Sequence, residues 1–132
     1  MKSIGAVFLG FILSLFVEGF SRIIISFFFT IEFSFFGLSS IPDTSWVIVV
    51  YLVSIISSWL GCMMTMTVAG FSPRYHLLAF LALTLLWSAF EIASSLTMVP
   101  YWYLFTFPFT SIVGIVLADY TYKLNQNAIH NP

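Results

Sequence analysis

The sequence predicts an all-α fold, an integral membrane four-helix bundle with short loops and both termini in the cytoplasm. Three observations predict it. Of the 132 residues 61% are hydrophobic and 7% charged, with a mean hydropathy of +1.07, a balance that would leave a soluble domain of this size covered in exposed apolar surface. The apolar residues fall in four stretches, each long enough at ~1.5 Å per residue to cross a ~30 Å hydrocarbon core. Those stretches are continuous, which suits helices and not the short alternating strands of a barrel.

The first helix is expected at 4–29. Its start, Lys2 followed by the apolar run from Ile4 to Val17, has the charge and core of a secretory signal. However, Val17-Glu18-Gly19-Phe20 is a poor small-x-small cleavage site and the apolar run resumes after Arg22 through Phe29, so a retained helix is predicted. A first extracytoplasmic loop follows at 30–45. Between Phe28 and Leu38, Thr30, Glu32 and Ser34 alternate with Ile31, Phe33 and Phe35; this fits an extended surface segment or a frayed extension of the first helix equally. The turn residues from Ser39 to Ser45, with Pro42 among them, precede a second helix at 46–69 for which Thr44 or Ser45 is a suitable cap. Gly70-Phe71-Ser72-Pro73 separates it from a third helix at 75–98, and Val99-Pro100 separates that from a fourth at 102–122. The remainder, 123–132, reads as a short polar cytoplasmic tail. Residues 1–132 thus make one transmembrane domain.

Lys2, Arg74 and Lys123 fall on one side of this arrangement, while the first loop carries Glu32 and Asp43 and no lysine or arginine. The positive-inside rule places both termini in the cytoplasm. Trp46, Tyr101, Trp102 and Tyr103 at outer helix ends, with Tyr75 and Tyr122 at inner ends, form an aromatic belt. A net charge of -1 without like-charge runs offers nothing for nucleic acid or for a polybasic contact with anionic lipid.

Three charged residues within the helices ask for an explanation, because a charge at bilayer depth is costly and faces a helix partner or water. Glu18 precedes Arg22 by four residues, which puts both on one helix face in the favourable order. Glu91, in the third helix, falls at a similar depth, with Ser88 and Ser95 on its stripe and Ser14 one turn before Glu18. Two readings compete for this intramembrane polar cluster. In one, Glu18, Arg22 and Glu91 lock the helices together; in the other, a carboxylate exchanges a proton as substrate passes.

Small residues recur at spacings that let helices approach closely. Ala6, Gly10, Ser14, Glu18 and Arg22 repeat every four residues in the first helix, Ser57, Gly61, Thr65 and Ala69 do so in the second, and Ser111, Gly114 and Ala118 line the fourth. Gly10, Ser57, Gly61, Ser111 and Gly114 are the expected helix-packing positions. Asp119 and Lys123 are an expected interfacial pair of little energetic weight. His76 is expected to be solvated and His130 lies in the tail, so no bis-histidine haem site is built. Cys62 reads as a small buried hydrophobe, and Met63, Met64, Met66 and Met98 as packing or lipid contacts. No metal constellation, glycine-rich phosphate loop or placed nucleophile and base appears, so no cofactor and no enzymatic activity are expected.

The opening Ala6-Val7-Phe8-Leu9-Gly10-Phe11, Ala69-Gly70 followed by Pro73-Arg74 and His76, the Val99-Pro100-Tyr101-Trp102-Tyr103 entry to the fourth helix, and Gly114 within it resemble a widespread type of small four-helix bacterial inner-membrane protein with no established activity. That resemblance implies the bacterial inner membrane and supplies no mechanism. A glutamate in the first of four helices also invites comparison with small multidrug transporters, which Glu18 resembles in location only. The expected function is that of a non-catalytic membrane protein, an accessory or structural subunit or a homo-oligomer, whose partners are the bilayer and other membrane proteins or further copies of itself. The alternative is a proton-coupled transporter or channel using Glu18 and Glu91.

Overall fold

The computed structural model describes residues 2–29, 44–70, 74–95 and 101–131, and they form four helices. These are α1 (Lys2–Phe29), α2 (Thr44–Ala69), α3 (Arg74–Ser95) and α4 (Tyr101–His130). All four are long and apolar enough to cross a membrane. Thr44 and Ser45 lie in the first turn of α2 rather than before it, and the segment of uncertain character, residues 30–38, lies outside the described residues. Residues 96–98 of the third helix's expected span lie outside them as well.

Two helix ends differ in kind. α2 stops because Gly70 takes a positive φ of 79°, and its N–H donates to the Met66 carbonyl at 3.0 Å. Glycine adopts that left-handed conformation without a Cβ penalty. α4 instead runs past the expected end at 122 through His130. Between 122 and 130 no glycine or proline interrupts the chain, and the Lys123–Asp119 pair at spacing four supports the emerging turns. At ~1.5 Å per residue its 30 residues span about 45 Å, longer than a ~30 Å hydrocarbon layer.

Helix α2 packs against both α1 and α4, and α3 rests on α1 and α4. Small residues explain the closest approach. A Cβ built on Gly10 would collide with Thr65 and the Gly61 carbonyl, and one on Gly61 would lie 2.5 Å from the Gly10 carbonyl oxygen. The two glycines therefore let α1 and α2 touch backbone to backbone. Gly114 does the same for α4, where an added Cβ would stand 2.7 Å from the Ile55 carbonyl oxygen and 2.7 Å from the Ser58 Cβ.

The interior is layered. One apolar cluster contains Val47, Val50, Tyr103, Leu104 and Phe107; the other contains Val7, Cys62, Met66, Phe80, Ile115 and Ala118. Apart from Thr65 and His76, which stand beside the second cluster, the buried polar residues of each helix lie between the two clusters, for example Ser54 and Ser58 between Val50 and Cys62, and Ser111 between Phe107 and Ile115. The outward faces are large and apolar, with Phe8, Ile12, Phe16 and Phe20 among the exposed residues of α1. Such a surface suits lipid.

Candidate functional site

The polar layer is built around Arg22. Its position four residues after Glu18 turns both side chains to the same side of α1, and its Nη2 donates to Glu18 Oε1 at 2.6 Å. Across the interface, Nη1 donates to Glu91 Oε1 of α3 at 2.9 Å. Trp87, one turn before Glu91, adds an indole N–H donated to the same oxygen at 3.2 Å. Arg22 is 2% exposed and both glutamates are buried. One guanidinium thus bridges two carboxylates from two helices, and its planar fork suits this task in a way a lysine would not.

Below the carboxylates lies a cavity of about 10 Å³, room for one water molecule. Glu18 and Glu91 line it together with Ser14, Ser58, Ser88 and Ser111. Each of the four helices contributes one of these serines, all 3–4% exposed. None of their hydroxyls is in a hydrogen bond among the described residues. Neighbouring hydroxyls are engaged: Ser54 bonds Thr110 at 2.8 Å between α2 and α4, and Thr84 donates to the Leu81 carbonyl at 2.9 Å within α3. Ser57 likewise donates to the Ser54 carbonyl at 3.0 Å.

The structure therefore brings Ser14, Glu18, Arg22, Ser88 and Glu91 into one cluster. Ser95 is the last residue of α3 and its side chain lies outside the described residues. Gly10 and Gly61 face each other, Gly114 faces α2, and Ser111 turns its side chain to the cavity. His76 is corrected: expected in solvent, it is 5% exposed. It sits one turn before Phe80 on the inward stripe that continues to Thr84 and Ser88, and it borders an apolar groove of about 560 Å³ with Val7, Phe8 and Leu83.

Sequence reading missed Ser54, Ser58, Trp87 and Tyr103. Ser54 and Ser58 share a spacing of four with Cys62, a second inward stripe on α2 beside the one through Ser57 and Gly61. Tyr103 reads from sequence as a belt residue, yet it is buried, stacked on Tyr51 with ring centroids 5.4 Å apart. Its hydroxyl has no hydrogen-bond partner among the described residues. Tyr51 reaches past it to bond Thr106.

No family model, curated protein or solved structure matches this chain.

Proposed function

We propose that this protein is a non-catalytic subunit of the bacterial inner membrane, a four-helix bundle with both termini in the cytoplasm that works by associating within the bilayer, with further copies or with larger membrane proteins. One observation carries the reading: both terminal nitrogens of Arg22 are engaged by Glu18 and Glu91, so the charges at the heart of the helices hold α1 to α3. Breaking such a buried arrangement costs far more than an exposed pair contributes, which suits a permanent clamp. Lys2 and Arg74 open α1 and α3 and Lys123 lies in the later part of α4, positions that share one side when successive helices cross in opposite directions, which supports the orientation. The apolar groove bordered by Val7, Phe8 and Leu83 supports a helical neighbour on that face.

The test is mass spectrometry of the protein released in native lipid from its own membranes. A defined complex or a fixed homo-oligomer is expected. Monomers without any co-purifying membrane protein at all protein concentrations would refute the proposal.

A second reading, proton-coupled transport, is favoured by the cavity beside two carboxylates that share one cation. It predicts that Glu18→Gln and Glu91→Gln abolish flux in proteoliposomes, and unchanged flux in the double variant would end it.

A further inference from the structure

We propose that the cavity at the centre of the helices is a binding site for one monovalent cation. Three features of the site converge on that occupant. The first is the four serine hydroxyls of Ser14, Ser58, Ser88 and Ser111, one from each helix, all buried around the same space and all without a hydrogen bond among the described residues. A hydroxyl of a buried residue that bonds nothing in the protein gains from a partner in the space it lines, and four such residues around one cavity offer acceptor oxygens to whatever sits there. The second is charge. Glu18 and Glu91 ionised against Arg22 alone leave the cluster with one negative charge to neutralise, and an unmatched charge in a dry interior is expensive. A single positive charge balances it, whereas a divalent ion would leave an excess of the opposite sign. The third is size and ligand type: the space of about 10 Å³ admits one occupant of the dimensions of a water molecule, and its polar lining offers carboxylate and hydroxyl oxygens, the ligands that hard cations take.

Arg22 does not compete for this position. Its two terminal nitrogens are committed to Glu18 and Glu91, and each carboxylate has lone pairs left over for a second cation. The ion would complete the polar layer and tie α2 and α4, through Ser58 and Ser111, to the clamp between α1 and α3. The site uses interior residues only, so it stands or falls independently of association in the membrane.

The experiment uses the full chain purified in detergent micelles, titrated with NaCl at constant ionic strength against choline chloride, which is too large for the cavity. Trp87, which borders the cavity and bonds Glu91, reports occupancy by fluorescence, with Trp87→Phe as the control that removes the signal. Thermal melting gives the second readout. A saturable rise in Tm of roughly 5 °C with Na⁺ over choline is expected. Glu18→Gln and Glu91→Gln should weaken the Na⁺ midpoint by about tenfold or more, and Ser88→Ala and Ser111→Ala, which keep both carboxylates and the clamp, by about fivefold. If the glutamine variants do not fold, the serine variants decide. Equal melting in Na⁺ and choline overturns the site, as does an unshifted Na⁺ midpoint in both serine variants. Stabilisation by acid with no Na⁺ dependence at any pH assigns the balancing charge to a proton, and it overturns the site too.

Discussion

The contact between Gly10 and Gly61 makes the closest test of how these helices are held. Substituting Gly61 by alanine places a methyl carbon 2.5 Å from the Gly10 carbonyl oxygen, 2.8 Å from Ser14 Cβ and 3.0 Å from the Phe80 ring. Close carbon–oxygen contacts between packed backbones settle at about 3.3–3.6 Å, so α1 must retreat by roughly 1 Å. The obstructing oxygen belongs to the backbone and cannot rotate aside. Retreat of that size forfeits about a quarter to a half of the dispersion attraction along the seam, and overpacking of this kind costs about 1–3 kcal/mol. Gly10→Ala meets Thr65 and the Gly61 carbonyl and should cost a similar amount. Gly5→Ala is the control, since nothing lies within 4 Å of its added Cβ; it should be neutral or stabilise by up to about 1 kcal/mol through helix propensity. The double variant Gly10→Ala with Gly61→Ala should lose less than the two single losses added, because the first retreat makes room for the second methyl. Reversible unfolding by SDS in mixed micelles, followed by tryptophan fluorescence, measures all four. If Gly61→Ala stays within about 0.5 kcal/mol of the parent, tight packing at this glycine pair is not what joins α1 to α2.

Three further outcomes are expected. Arg22→Met strands two buried carboxylates and should cost about 3–5 kcal/mol, while adding Glu18→Gln and Glu91→Gln to it should recover part of the loss; equal stability of Arg22→Met and the parent in the same titration would contradict the clamp. Lys123→Ala removes an exposed pair with Asp119 (2.6 Å) and should change stability by no more than about 0.5 kcal/mol, which thermal melting can check. Cys62, fully buried, should resist a water-soluble maleimide in the folded protein and react once SDS unfolds it; rapid labelling in the folded state would show that its surroundings open.

The helices were legible because their signal is collective: four continuous apolar stretches, each bounded by proline, glycine or clustered serine, need no knowledge of tertiary contacts. α4 marks the limit of that signal. Its hydropathy falls after Tyr122, but helix formation outlasts hydropathy, since Lys123, Leu124 and the residues beyond keep the backbone helical to His130. The cluster was partly legible for a local reason, because the spacing of four places Glu18 and Arg22 on one face, with Ser14 one turn below. Its partners on other helices carry no such mark. Ser58 and Tyr103 resemble the other serines and belt aromatics of the chain, and only the angular position of α2 and α4 turns them inward. His76 shows the same effect: it stands near a helix end, yet its place on the stripe with Phe80 and Thr84 buries it.

The small residues and the polar layer act on different degrees of freedom, and together they leave the cavity. Glycines at 10, 61 and 114 set how near α1, α2 and α4 come to one another, but close packing in lipid has no hydrophobic force of its own to choose a vertical register. The polar layer supplies that choice. Sliding α3 by one turn, about 5.4 Å, would carry Glu91 away from Arg22 and leave buried charged groups without their partner across the two helices. Register is therefore held by the Arg22 contacts between α1 and α3 and by the Ser54–Thr110 bond between α2 and α4. Once that register is held, four serines arrive at one level. Their side chains are too short to meet across the space between four helices whose mutual distance is set elsewhere by glycines and by Phe80 and Phe107. A larger apolar residue at any of the four positions would fill the space and remove a hydroxyl at once. The void is thus the geometric consequence of pairing short polar side chains with a spacing they do not control.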